Sequence, residues 1–245
     1  MLEFFTEPQF WVGLAQITLV NIVLSGDNAV VIALAARSLP RQQQKQAIVW
    51  GSAAAIVMRI VLTIAAMELL RLPYLKLVGS LFLFYIAIGL LMPEGGEGEG
   101  HTGKGTLWTA IRTILWADLI MSLDNVLGVA AAANGDLLLL VLGLLISIPL
   151  IIFGSTLILK LMERFPVIIT LGAALLGYVA GEMLVTDPAY NGWIEANLHL
   201  AEIAVPIIGA VLVVVIGKWL ALRASRKNAE RSDPLHTNRP TKVHQ

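Results

Sequence analysis

The chain has 245 residues, 57% of them hydrophobic and 14% charged, with 17 basic and 17 acidic side chains and no cysteine. Soluble domains carry about a quarter charged residues, so this composition, with a mean hydropathy of +0.79, describes a polytopic membrane protein. The balanced charge gives no electrostatic reason to expect nucleic acid as a partner, and without cysteine there is neither a disulfide framework nor a thiolate metal site.

The N-terminal stretch MLEFFTEPQF carries Glu3 and Glu7 but no Lys or Arg. A secretory signal peptide needs a positive n-region, so the first apolar run is expected to be a mature transmembrane helix. Seven apolar helical segments are predicted, at roughly 10–36, 46–70, 74–92, 107–133, 137–161, 166–185 and 202–222. Each approximates the length that a bilayer core demands. Pro40, Pro73, Pro93, Asn134-Gly135-Asp136, Pro166 and Asp187-Pro188 punctuate them. The expected architecture is an all-α membrane protein of seven transmembrane helices, two inverted three-helix repeats plus a C-terminal helix. Its parts are an N-terminal repeat (1–92), a flexible Gly/Glu linker (93–106), a second repeat (107–185), a loop with the seventh helix (186–222) and a basic cytoplasmic tail (223–245).

The linker, PEGGEGEGHTGKG at 93–105, cannot bury a core and reads as a solvated hinge. Lys and Arg set the orientation. Arg37, Arg41 and Lys45 follow the first helix, Lys160 and Arg164 close the fifth, and the tail holds seven more from Lys218 to Lys242; the opposite side has only Arg71 and Lys76. The N-terminus is therefore expected outside and the C-terminus in the cytoplasm, with the tail serving as a topology anchor or touching anionic lipid. A bacterial inner (cytoplasmic) membrane is expected.

An internal repeat is legible. NIVLSGDNAVVIALAA (21–36) aligns without a gap on DLIMSLDNVLGVAAAA (118–133), equating Asn21 with Asp118, Ser25 with Ser122, Asp27 with Asp124 and Asn28 with Asn125. LPYLKLVGSLFLFYIA (72–87) aligns on FPVIITLGAALLGYVA (165–180), equating Gly79, Leu83, Tyr85 and Ala87 with Gly172, Leu176, Tyr178 and Ala180. A unit of three helices, an odd number, requires the two copies to insert in opposite orientations, as in many secondary transporters.

The repeated motif places carboxylates in apolar helices, where charge is costly and seldom idle. Asn21, Ser25 and Asn28 share a helix face by their i, i+4, i+7 spacing, and Asp118, Ser122 and Asn125 do the same. Asp27 and Asp124 stand off that stripe. Gly26 suggests a local break that would re-aim Asp27, whereas Leu123 leaves the second copy less broken. The pooled donors are all oxygens, a set for a hard dication such as Mn²⁺, Mg²⁺ or Ca²⁺. The four histidines fall outside the predicted helices, so Zn²⁺ and Cu⁺ lack their usual ligands. Arg59, in the middle of the second helix, is expected to pair with Asp27, Asp118 or Asp124, either permanently or only when the site is empty. Glu68 and Glu182 lie near outer helix ends, as candidates for a gate or proton site. Several carboxylates in one empty site would favour protonation of at least one, hence exchange of the cation with H⁺.

These residues resemble the TerC family of integral membrane proteins, through SGDN at 25–28 and SLDN at 122–125 within two three-helix units plus a seventh helix. The length, linker and basic tail look like its small YjbE-like bacterial branch, within the wider LysE-type transporter group. The resemblance implies Mn²⁺ efflux, with Asp27, Asn28, Asp124 and Asn125 as the central cation site and Asn21, Asp118, Ser25 and Ser122 in support. It implies lipid, a divalent cation and H⁺ as partners, leaves room for a homo-oligomer, and implies Mn²⁺ as cargo rather than a prosthetic group. No nucleophile–base constellation or phosphate loop is present, so no enzyme is expected. The rival expectations are an exporter of amino acids or small organic solutes, and a scaffold whose polar motifs only lock helices together.

Overall fold

The computed structural model describes residues 8–69, 74–92, 106–132, 136–198 and 200–231, all in helices or their connections. The elements run α1 (Pro8–Leu24), α2 (Gly26–Ala36), α3 (Arg41–Leu69), α4 (Leu75–Leu90), α5 (Leu107–Ala132), α6 (Leu137–Arg164), α7 (Val167–Val185), α8 (Asn191–Asn197) and α9 (Ala201–Arg231). Polarity is inverted relative to a soluble protein. All six tryptophans are exposed, with long apolar rows on α6, α7 and α9, while Asn21, Ser25, Asn28, Arg59, Asp118, Ser122, Ser147 and Ser155 are buried. That distribution suits a lipid surround, in which exposed apolar surface carries no penalty and buried polar groups hold helices together. Arg223 lies over the Trp219 ring at 3.6 Å, a cation–aromatic pair of the kind found at membrane interfaces.

The seven expected spans are not all recovered. Among the described residues α3, α6, α7 and α9 are long and apolar enough to cross a bilayer, and α1 with α2 makes a fifth span bent by 51°. Helix α4 is apolar but has only 16 residues. Helix α5 has 26, with Asp118 and Asp124 inside its apolar run. Two boundaries also move, and one helix is added. Helix α3 begins at Arg41 rather than near 46, because the polar run RQQQKQ continues the helix after Pro40. Helix α9 reaches Arg231, so the first nine residues of the predicted tail are helical, since Ala, Arg and Lys are good helix formers there. The short α8 lies in what was expected to be an irregular loop. The 93–105 linker and residues 232–245 lie outside the described residues.

The core is built by α3 lying along α5, α6 crossing α1, α2 and α3, and α7 wedged between α4 and α9. The α7–α9 contact depends on small residues. A Cβ at Gly177 would fall 2.6 Å from the Gly209 carbonyl oxygen, and one at Gly181 2.7 Å from the Pro206 Cα, so the two backbones touch. Burial also tracks the repeat. Leu83 and Leu176 are both fully buried, as are Ala87 and Ala180, whereas Tyr85 and Tyr178 are both exposed.

Asp187 closes the packing of α7 on α4. The carboxylate is fully buried and accepts the N–H groups of Tyr74 at 2.9 Å, Leu77 at 3.0 Å and Ala189 at 2.8 Å. Tyr74 starts α4 with φ 66 and no capping bond from its own side chain. Asp187 therefore caps α4 from the connection that follows α7, at the N–H groups that a local Asp or Ser would take. Burial alone would raise this carboxyl; the N–H groups of Ala189, Leu77, Tyr74 and Lys76 outweigh it and hold the group below the ordinary 3.8.

Two predictions follow from this packing. A carboxylate whose folded pKa is depressed stabilises fully above its unfolded value, and that stabilisation is lost as pH falls through the folded value. In detergent the wild-type melting temperature should therefore drop as pH is taken below 3.8, while Asp187→Asn starts lower at neutral pH and loses less over that acid range. A thermal melt of both proteins across pH reads the difference. Gly177→Val should cost about 1–3 kcal/mol through overpacking, whereas Gly192→Ala, whose Cβ meets nothing within 4 Å, should melt with the wild type.

Candidate functional site

The site begins where the first span breaks. Helix α1 ends at Leu24, Ser25 adopts φ −112 and ψ 6, and α2 restarts at Gly26. The Ser25 N–H turns back to the Ile22 carbonyl at 3.3 Å, and the α pattern resumes with the Ala29 N–H on the Ser25 carbonyl at 3.2 Å. A break before Asp27 was expected from Gly26. It is there, but the off-helix residue is Ser25, and a Cβ on Gly26 would meet nothing within 4 Å. The bend therefore does not depend on a conformation reserved for glycine. In the second copy, with Leu123 at the equivalent position, α5 runs unbroken from Leu107 to Ala132.

Arg59 of α3 stands against this break, 1% exposed. Its Nη1 donates to Asn21 Oδ1 at 2.7 Å and to Ser25 Oγ at 2.5 Å. Its Nε donates to Ser122 Oγ at 3.0 Å, and its Nη2 to Asp118 Oδ1 at 2.7 Å. Around that fork, Ser25 donates to Asn21 and Ser122 to Asp118, each at 3.3 Å. Asn21 Nδ2 reaches Ser147 Oγ of α6 at 2.5 Å, and Ser147 donates to the Leu144 carbonyl at 2.6 Å. Of the three partners considered for Arg59, the ion pair is with Asp118. The two pairs of positions equated by the repeat, Asn21 with Asp118 and Ser25 with Ser122, thus converge on one guanidinium. Ser147 was not foreseen; its signal is a lone serine two residues before Pro149 in an otherwise apolar run.

Asp27 is half-buried, apart from this fork. Its Oδ1 accepts the Asn28 N–H at 2.9 Å, in the first turn of α2, where the helix dipole favours an acid. It interacts electrostatically with both Arg59 and Asp118. Asn28 is 2% exposed, yet among the described residues neither its Nδ2 nor its Oδ1 has a partner; Ser52 Oγ of α3 is unpartnered in the same way. A buried amide without hydrogen bonds is costly and calls for a reason. Helix α5 carries Asp124 and Asn125, but their side chains, like that of Glu68, lie outside the described residues. Glu182 is exposed on α7 rather than part of the cluster. Among the described residues no three Asp, Glu, His or Cys side chains converge; the described carboxylates here are Asp27 and Asp118, beside amide and hydroxyl oxygens.

The TerC family of integral membrane proteins matches residues 6–226. The chain belongs to that family. It is an integral, multi-pass membrane protein. It is 43% identical over 211 residues to "Uncharacterized membrane protein YjbE" of Bacillus subtilis (strain 168), an alignment covering 84% of this chain and 96% of that protein. It is 30% identical over 178 residues to "UPF0053 inner membrane protein YgdQ" of Escherichia coli (strain K12), covering 66% and 75%. A second Bacillus subtilis relative, "Uncharacterized membrane protein YceF", is 27% identical over 191 residues, covering 74% of each chain. No solved structure matches the chain.

The orphaned amide gives a direct test. Asn28→Leu removes two unsatisfied buried polar atoms at nearly constant volume, so it should stabilise the protein by about 1–3 kcal/mol, read as a higher melting temperature in detergent. A position held for function would gain that stability while transport falls.

Proposed function

We propose that this TerC-family protein exports a hard divalent cation, Mn²⁺, by alternating access, in exchange for H⁺. Asp27, Asn28, Asp124 and Asn125 form the central site, and Asn21, Asp118, Ser25 and Ser122 support it. The observation that carries the reading is Asn28: a buried carboxamide with no hydrogen-bond partner among the described residues, beside a carboxylate at the start of the helix that follows the break. Unwound segments with free polar groups at membrane depth are where transporters hold their cargo. The donors are carboxylate, amide and hydroxyl oxygens, suited to a hard dication, and two aspartates balance its charge. The choice of Mn²⁺ among such ions rests on the family resemblance, as does placement in the YjbE-like branch and the LysE-type group.

The inverted-repeat plan supports the same reading. Gly79 of α4 packs on Ile120 of α5, and its equated residue Gly172 of α7 packs on Val30 and Leu34 of α2. Each third helix thus leans on the first helix of the other repeat, as a twofold axis in the membrane plane would require. On this plan the protein has seven spans, the N-terminus faces outward and the basic C-terminus lies in the cytoplasm of a bacterial inner membrane.

One observation favours a second reading, a scaffold with a purely structural polar core: the Arg59 network is well hydrogen-bonded and would lock α1, α3, α5 and α6 together. Charge-neutral variants separate the two. In proteoliposomes the wild type should move Mn²⁺ down an imposed gradient, and Asp27→Asn and Asp124→Asn should each abolish that flux at matched, folded protein levels. Flux absent from the wild type, or unchanged in both variants, favours the scaffold. Coupling to H⁺ predicts that dissipating the pH gradient stops uphill Mn²⁺ movement.

A further inference from the structure

Arg59 holds four of the eight side chains assigned to cargo: Asn21, Ser25, Asp118 and Ser122. Its charge is permanent, because a guanidinium does not deprotonate in a protein. The fork is centred between the equated pairs of the two repeats, where a pseudo-twofold arrangement would put a shared ion. A dication needs its oxygen ligands at about 2.0–2.6 Å, and each of these oxygens already faces an arginine nitrogen at 2.5–3.0 Å. Guanidinium and dication therefore cannot share the set, by steric exclusion and by like-charge repulsion at short range in a low-dielectric interior.

We propose that Arg59 is a tethered counter-cation: it occupies the supporting half of the cargo site while the site is empty, and a divalent cation engages Asp118, Asn21, Ser25 and Ser122 only when Arg59 is displaced. The proposal rests on the cation-transport reading and adds its regulation. Three features carry it. The first is the identity of the oxygens, which are the repeat-paired polar residues rather than an unrelated set. The second is the contrast with Asn28, whose side chain, next to Asp27, has no partner among the described residues, whereas the four oxygens on Arg59 are all engaged. The third is charge. Asp118 in an empty site would be a carboxylate without a partner in the membrane interior, and Arg59 pairs with it at 2.7 Å without a soluble ion. Arrival of a dication replaces that charge with another, and departure lets the arginine return. Arg59 is thus a positioning and competing residue rather than a ligand.

The sign of the effect distinguishes this role from a structural one. When the binding-competent state is a fraction f of molecules, the apparent dissociation constant is the intrinsic one divided by f. If Arg59 leaves the site free in about one molecule in ten, Arg59→Gln should bind Mn²⁺ about tenfold more tightly than the wild type. The same variant should melt lower than the wild type in chelator, because Asp118 loses its partner, and should recover on adding Mn²⁺. The experiment is a Mn²⁺ titration of the purified, full-length protein in detergent, following the EPR signal of free Mn²⁺, with thermal melts of the same samples in chelator and in Mn²⁺. Arg59→Lys, which keeps the charge but lacks the fork that reaches all four oxygens, should shift affinity in the same direction by a smaller factor, and it keeps the test open if Arg59→Gln does not fold. Unchanged or weaker Mn²⁺ binding by the folded variants, with a melting deficit that Mn²⁺ does not repair, would overturn the proposal while wild-type binding and flux leave the transport reading standing. No Mn²⁺ binding by wild type or variants would remove both together.

Discussion

A positive charge that cannot be neutralised, buried at 1% exposure inside a membrane protein, constrains everything around Arg59. Desolvating a guanidinium is expensive unless its N–H groups are all met by acceptors and its charge by a carboxylate. Satisfying that demand takes α1, α3 and α5 at once, with α6 anchoring Asn21 from behind through Ser147. Four helices are therefore registered to one another by a single fork, and the register of α1 puts the chain break at Ser25 against it. The break positions Asp27 and Asn28 at the start of α2, one turn beyond the fork. The geometry of the candidate site follows from where the arginine is held.

The packing further out serves the same arrangement. Helix α7 is pressed onto α9 by glycines that admit backbone-to-backbone contact, and onto α4 by small residues such as Gly79 against Met183. Asp187 finishes this layer by capping α4 from the end of α7, which substitutes for the capping residue that α4 lacks. Its bonds to the N–H groups of Tyr74 and Leu77 tie the end of α7 to the start of α4, an element of each three-helix unit.

Two kinds of buried polar group coexist here, and their difference bears on function. The Arg59 network has nearly every donor matched, which is how a membrane protein secures helices. The Asn28 and Ser52 side chains have no partner among the described residues, which a purely structural polar group avoids. A chain under pressure only to fold would place leucine at Asn28. The coexistence of a satisfied half and an unsatisfied half is what joins the cation-transport reading to the proposed role of Arg59.

The sequence by itself determined the class of the molecule and the identity of the polar residues that matter. Helix-length apolar runs with proline and glycine punctuation are local signals, and a carboxylate inside such a run stands out because its burial is costly; the S-x-D-N repeat was legible for that reason. The same local signals ended α9 too early, because hydropathy does not register a helix that continues through basic residues. Tertiary structure alone decided the rest. That Arg59 pairs with Asp118 rather than Asp27, that Ser147 supports Asn21, that the break falls at Ser25, and that Asp187 caps a helix more than a hundred positions away all depend on contacts between segments distant in the chain. No periodicity within one helix specifies which face of another it will meet.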